Sequence, residues 1–267
     1  MFLYFLCCLK IESNMNKTLK TIFIYFVLIL LLSLNYSSNY ANSDITNSSL
    51  SEASKISGSE KNNFDGVKIG DIIEFGKFYD IVDEEIVKVP IKWQVLEQLN
   101  DFSLLISKDI LKTMPYNYSW SPTNWEVSNI RVWLNYDFYD IAFNYGEKEL
   151  IQKVTTANIG NPAYKVKKEF LTKDYVFLLS IEEAKKYYNT SRDLMAKGTE
   201  YAKKEGLWIS KYQTSDGYSV WWLRSPGKTW SSAAIIHAAG DIGLGGDGVA
   251  TRGNGIRPCI WIYTGKE

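Results

Sequence analysis

The runs IGDIIEFGKFYDI from Ile69 and VKVPIKWQVLEQ from Val87 alternate apolar with polar residues. Successive side chains of a strand point to opposite faces, so this pattern suits a sheet with one face in the core and fits no helix. FSLLISK from Phe102 adds a third β-rich run, and three in succession predict an antiparallel meander. The period then changes. In WEVSNIRVWLNYDFYDIAF, residues Val127, Ile130, Val132, Trp133 and Leu134 are expected along one side of a helix capped by Ser128. DYVFLLS reads as a strand ending at Ser180, and Glu183 completes a capping box for the helix IEEAKKYYN. A second polar helix is expected from about Ser191 to Glu205, stopping at Gly206. YSVWWLRS, AAIIHAAG and GIRPCIWIY then read as short strands divided by glycine-bearing turns. With no regular βαβ alternation, the class is α+β.

Everything before residue 64 reads differently. Lys17 and Lys20 precede the apolar run TIFIYFVLILLLSL, residues 21–34. This is the order of a secretory signal, and the run falls short of the about 20 residues that span a bilayer. Residues 1–41 are therefore expected to be a signal peptide cut near Ala41, with Met15 as an alternative start; an uncleaved membrane anchor is the other reading. Residues 42–63 are rich in Ser and Asn with little to bury, as in a flexible tether. Residues 64–267 are left as a single domain, which either reading places outside the cytoplasm, secreted or at the cell surface.

Within 64–267 stand 25 basic and 26 acidic residues, a net charge of −1. No basic stripe is present to neutralise phosphates, which argues against nucleic acid as a partner. A membrane enters only through the N-terminal segment if that stays uncleaved. Cys259 is the one cysteine of this region, so no internal disulfide is expected and the fold must rest on its core.

Two motifs near the C-terminus, WWLRSPG and GIRPCIWI, combine indoles with guanidinium groups. In a strand Trp222 and Arg224 share a face, as do Arg257 and Trp261 in the second motif. An arginine stacked on an indole and donating to backbone carbonyls fastens two strands together, so these four residues are read as structural, and Trp93, Arg131 and Trp133 likewise.

GDIIEFGKF, PIKWQVLE, LLIS, SNIRVWLN, DYVFLLS, WWLRSPG and GIRPCIWI occur in an order that resembles the bacterial exported domain of unknown function family 6273, over about Gly66 to Tyr263. The resemblance implies a C-type-lectin-like fold akin to the formylglycine-generating enzymes: small twisted antiparallel sheets, flanking helices and a loop-rich C-terminal half that carries the ligand surface. Cys259 stands where the family more often has a small residue. Lacking a cysteine pair, the chain is not expected to share the copper chemistry of the formylglycine-generating enzymes.

The segment between the two motifs, KTWSSAAIIHAAGDIGLGGDGVATRGNG, holds seven glycines from Gly240 to Gly255 and gains little from burial. It is the expected ligand face, with Trp230 stacking and His237, Asp241, Asp247, Arg252 and Asn254 contacting the ligand. Trp120, Trp125 and Trp208 are further surface candidates. No cofactor is expected; Asp241 and Asp247, with Asp216 as a third ligand, are the one arrangement that would suit calcium. His237 is the sole histidine and no G-x-S-x-G elbow occurs, so an exported non-catalytic module for a glycan or protein ligand is expected. The alternatives are a carboxylate-based hydrolase and a surface receptor whose residues 228–254 are diversified by a retroelement.

Overall fold

In the computed structural model, which describes residues 64, 66–164 and 170–265, the alternating runs form β1 (Ile72–Val82), β2 (Glu85–Leu99) and β3 (Phe102–Ser107), paired antiparallel in sequence. Residues 1–41 and 42–63, with the expected signal and tether, lie outside the described residues. The meander grows into the first sheet when β13 (Cys259–Tyr263) pairs with β3, and β5 (Ile151–Gln152) and β8 (Val176–Phe177) pair with β13. The second sheet has the order β11 (Ile242–Gly248), β10 (Ser232–Ile236), β9 (Trp221–Pro226), β12 (Gly255–Ile256) and β4 (Lys112–Thr113). A separate ribbon joins β6 (Val154–Asn158) to β7 (Phe170–Asp174). The fold is α+β, with curled antiparallel sheets and few helices. Among the described residues no helix is long and apolar enough to cross a membrane.

Ser128 caps α1 (Asn129–Trp133) by accepting from the Arg131 backbone N–H, and the helix continues through a π-helical turn, Leu134–Phe138, into α2 (Tyr139–Ala142). Its buried stripe is Ile130, Leu134 and Phe138, at four-residue spacing, with Trp133 half-buried against Phe78 and Phe138. Val127 and Val132, expected on that stripe, are exposed instead. Val127 precedes the cap in a 3-10 turn that points Trp125 inward, and Val132 falls between stripe positions. Asn135 ties the helix to the sheet, accepting from the backbone N–H of Tyr175 and donating to the Val176 carbonyl.

After α3 (Tyr145–Leu150), Ser180 and Glu183 form the expected capping box of α4 (Ile181–Tyr187). The preceding strand is shorter than DYVFLLS suggests: Asp174 ends β7, and the carbonyls of Leu178 and Leu179 accept from Arg224 instead of a ladder partner. The single helix expected over 191–205 is two, α5 (Ser191–Leu194) and α6 (Glu200–Lys204). Between them the backbone is bound by tertiary partners. The Trp221 indole donates to Leu194, Ser219 to the Ala196 carbonyl, and Ile110 to that of Lys197. Those carbonyls would otherwise bond within the helix, and the long-range partners win.

Trp221 and Trp222 are both fully buried, because β9 is covered on both faces. The chain leaves the second sheet after β12 and enters the first at β13, so Arg257 lies at the crossing and does not share a face with Trp261. Its guanidinium stacks 4.8 Å from the Trp221 ring centroid and its Nε donates to the Ser107 carbonyl. A desolvated cation-π contact of this kind contributes about 2 kcal/mol. Arg224 pairs with Glu183, donates to the carbonyls of Leu178 and Ala157, and lies over Phe177.

The ribbon is held by a buried carboxylate. Asp174 accepts from Arg131 Nε at 2.6 Å, Trp125 Nε1 at 2.9 Å, and the hydroxyls of Thr172 at 2.6 Å and Thr156 at 3.0 Å. Asp174→Ala takes the carboxylate acceptor from Arg131, Trp125 and the threonine pair and is expected to lower the unfolding free energy by about 3–5 kcal/mol. Thr172→Val, which leaves the ion pair in place, is expected to cost about 1 kcal/mol. Urea denaturation of the two variants checks the difference.

Candidate functional site

The glycine-bearing segment is not the set of displayed turns that its composition suggests. Ala233 to Ile236 are buried in β10, and IGLGGDG forms the seven-residue edge strand β11. A register shift between Ala233 and Ile235 bulges β11. Within the bulge Gly246 has φ +70, and a Cβ there would lie 2.2 Å from the Ala233 carbonyl oxygen. At Gly248 the neighbour is a side chain: a Cβ would lie 2.0 Å from Cη2 of Trp120, whose ring rests on this glycine.

Beyond β11 the chain turns back through a loop that Asp247 organises. Its carboxylate accepts from the Gly248 N–H at 2.8 Å, the Thr251 hydroxyl at 3.1 Å and the Asn254 carboxamide at 3.1 Å, while Thr113 donates to the Asn254 carbonyl at 2.8 Å. Asn254 is buried and Asp247 half-buried. Both are expected ligand contacts on sequence; here their polar atoms are bound within the loop. Arg252 projects from it, exposed and, among the described residues, without a hydrogen-bond or ion-pair partner.

The six expected ligand residues do not converge. His237 and Asp241 occupy the tip of the β10–β11 hairpin, where Asp241 accepts from the Ser191 hydroxyl at 3.0 Å. Trp230 precedes β10 at the other end, separated by a five-residue strand of about 16 Å at the usual rise. Among the described residues no three His, Cys, Asp or Glu side chains are grouped as they would be to hold a metal, Asp216, Asp241 and Asp247 included.

What does gather around the 247–254 loop is a set of indoles. Trp120 lies over Gly248 and is 67% exposed; Trp230, whose carbonyl accepts from the Thr123 N–H, is 59% exposed; Trp208, whose N–H donates to the Gly253 carbonyl, is 47% exposed. Their indole N–H groups have no acceptor among the described residues. The fully buried indoles behave oppositely. Trp93 donates to the Phe75 carbonyl, Trp125 to Asp174, Trp221 to Leu194 and Trp222 to Met114. Trp125, grouped with the surface candidates on sequence, thus belongs to the core. Hydroxyl and amide groups flank the exposed set: Asn117, Ser119 and Ser121 are joined by hydrogen bonds beside Trp120, and Thr229 and Ser232 beside Trp230.

Two other features carry no chemistry of this kind. Burial, with the nearby Glu183 carboxylate, pushes the Cys259 thiol well above its ordinary range, so the sulfur stays protonated and unreactive. A groove of about 310 Å3 is lined by Glu74, Asp80 and Asp109 over Phe78 and Ile91. There Asp80 Oδ1 accepts from the backbone N–H of Ile81 and Tyr201, which makes it a clip between β1 and α6.

Residues 100–264, more than half of the chain, match the family model described as Domain of unknown function (DUF6273). The chain belongs to that family. No curated protein and no solved structure matches it. The DUF6273 match takes in all three exposed indoles and the loop between them, and leaves β1 and β2 outside.

The two glycines separate loop from scaffold. Gly246→Ala meets a backbone oxygen and is expected to destabilise the fold by about 1–3 kcal/mol. Gly248→Ala meets the far end of an exposed ring and is expected to change Trp120 fluorescence at nearly unchanged stability. Emission spectra and thermal melts of both variants check this.

Proposed function

We propose that the chain is an exported, non-catalytic binding module that takes a glycan on the face formed by Trp120, Trp208 and Trp230. The observation that carries this reading is the contrast between the fully buried indoles, whose N–H groups are satisfied, and these three, which are exposed around one loop with no acceptor for their N–H groups among the described residues. A pyranose offers an apolar C–H face to a ring and hydroxyls to an N–H, so the two vacancies match one ligand. The serine, threonine and asparagine side chains beside the rings supply further partners for hydroxyls.

Export rests on the apolar run 21–34 behind Lys17 and Lys20, which would place the module outside the cytoplasm or at the cell surface. A C-type-lectin-like architecture is the finer fold reading; two curled, mainly antiparallel sheets with few helices are compatible with it. The hydrolase alternative is weakened by Asp80, whose oxygen is committed to two backbone donors in the groove it shares with Glu74 and Asp109. Diversification of 228–254 is weakened by the buried Ala233–Ile236 and by glycines with no room for a side chain.

Trp120→Ala, Trp208→Ala and Trp230→Ala are each expected to weaken glycan binding by about 1–2 kcal/mol, with stability changed by less than about 0.5 kcal/mol. A chelator is expected to leave binding unchanged. A glycan array with the purified chain and each variant, followed by thermal melts, measures both. Capture of no glycan, or loss of fold in the variants, contradicts the reading.

A further inference from the structure

The charge around the three indoles is uneven. Arg252 projects from the loop between Gly248 and Gly253, the glycines against which Trp120 and Trp208 rest. Lys204 and Lys211 flank Trp208 in the chain and are exposed; neither has an ion pair or hydrogen bond among the described residues. Lys197, also exposed, lies 5.0 Å from the Tyr218 ring centroid, beside the turn that Ser210 and Tyr218 close by a backbone bond. The acids of the same region are engaged. Glu205 pairs with Lys112 at 3.0 Å and Glu200 with Lys203 at 2.6 Å, while Asp247 is held inside the loop by neutral donors only. Asp216 alone stays exposed without a partner.

Around Trp208 and the 247–254 loop, four exposed cations without a carboxylate partner, Arg252, Lys197, Lys204 and Lys211, thus stand against two carboxylates without a cationic partner, Asp216 and Asp247, an excess of two positive charges in a domain of 25 basic and 26 acidic residues. A single exposed cation attracts an anion weakly, by about 1 kcal/mol or less in water. Several around one ligand add up, and the effect weakens as salt screens it.

We infer that the glycan taken by this face is acidic: its sugar rings lie on the indoles, and its carboxylate or phosphate groups are met by Arg252 and Lys211, with Lys197 and Lys204 supplying the surrounding field. This rests on the glycan reading above and adds the charge of the ligand. Arg252 can hold either anion in a bidentate contact, whereas Lys211 acts as a point charge.

The test uses polymers matched in backbone and different in charge: carboxymethylcellulose against hydroxyethylcellulose, and phosphomannan against mannan. Binding of the purified full chain is measured by isothermal titration at low and at high sodium chloride. The acidic member of at least one pair is expected to bind roughly tenfold tighter at low salt, with most of that preference lost at high salt. In the double variant Arg252→Gln, Lys211→Gln the acidic-to-neutral ratio is expected to fall close to one, and Trp120→Ala to weaken both members of the preferred pair. The carboxylate and phosphate pairs tell which anion is read.

Equal affinity for acidic and neutral members overturns the inference while leaving the glycan reading intact. Absence of binding to every polymer, with vesicles of phosphatidylglycerol and phosphatidylcholine bound through Arg252 and Lys211, overturns both and makes the face a membrane-docking surface. A preference for the acidic member that survives the double variant also overturns it, since the charge would then be read elsewhere.

Discussion

A buried indole must find an acceptor for its N–H, and this requirement shapes the interior. Trp221 and Trp222 are consecutive on one strand, so their rings leave β9 in opposite directions and both faces must be closed over them. One N–H reaches Leu194, at the end of a short helix, and the other reaches Met114, just after β4. Two distant segments are thereby fixed to the middle of the second sheet. Arg257 closes the arrangement from the side by stacking on Trp221 where the chain passes between sheets. These contacts break the polar helix after Leu194 and place the loops that follow.

The face that carries the exposed indoles depends on the same scaffold at one remove. Asp247 accepts from Asn254, and the Asn254 carbonyl accepts from Thr113, which belongs to the edge strand β4. The loop they hold is thus tied to both edges of the second sheet and can present Arg252 and support Trp120 without a core of its own. Polar residues that composition marks as ligand contacts serve here as the frame of the loop. Beside that frame the exposed Trp120 ring rests on Gly248.

Much of the fold is legible in the sequence because it is written in local patterns. The alternation over 69–107, the Ser180–Glu183 capping box and the Ser128 cap each occupy a few adjacent residues. Long-range competition is not legible. Nothing within 191–205 signals that Ser219, Ile110 and Trp221 claim its carbonyls, and the pattern around Val132 does not reveal the π-helical turn that follows Trp133. The site suffers from the same limitation. Composition draws attention to the segment between the two indole-guanidinium motifs, which does contain Trp230, Arg252 and the organising loop. It does not tell that His237 and Asp241 lie at the far end of a hairpin, or that Trp120 and Trp208 arrive from elsewhere. A glycine opposite a ring is a sign only once the pairing is known.

The division between satisfied and free indoles can be measured directly by hydrogen exchange of the indole N–H resonances in a nitrogen-15-labelled sample, with and without an added glycan. The account predicts slow exchange for Trp93, Trp125, Trp221 and Trp222, fast exchange for Trp120, Trp208 and Trp230, and ligand-induced shifts confined to the fast set. Slow exchange at Trp120 or Trp230, or shifts appearing at Trp221 and Trp222 while the fast set stays silent, would contradict it.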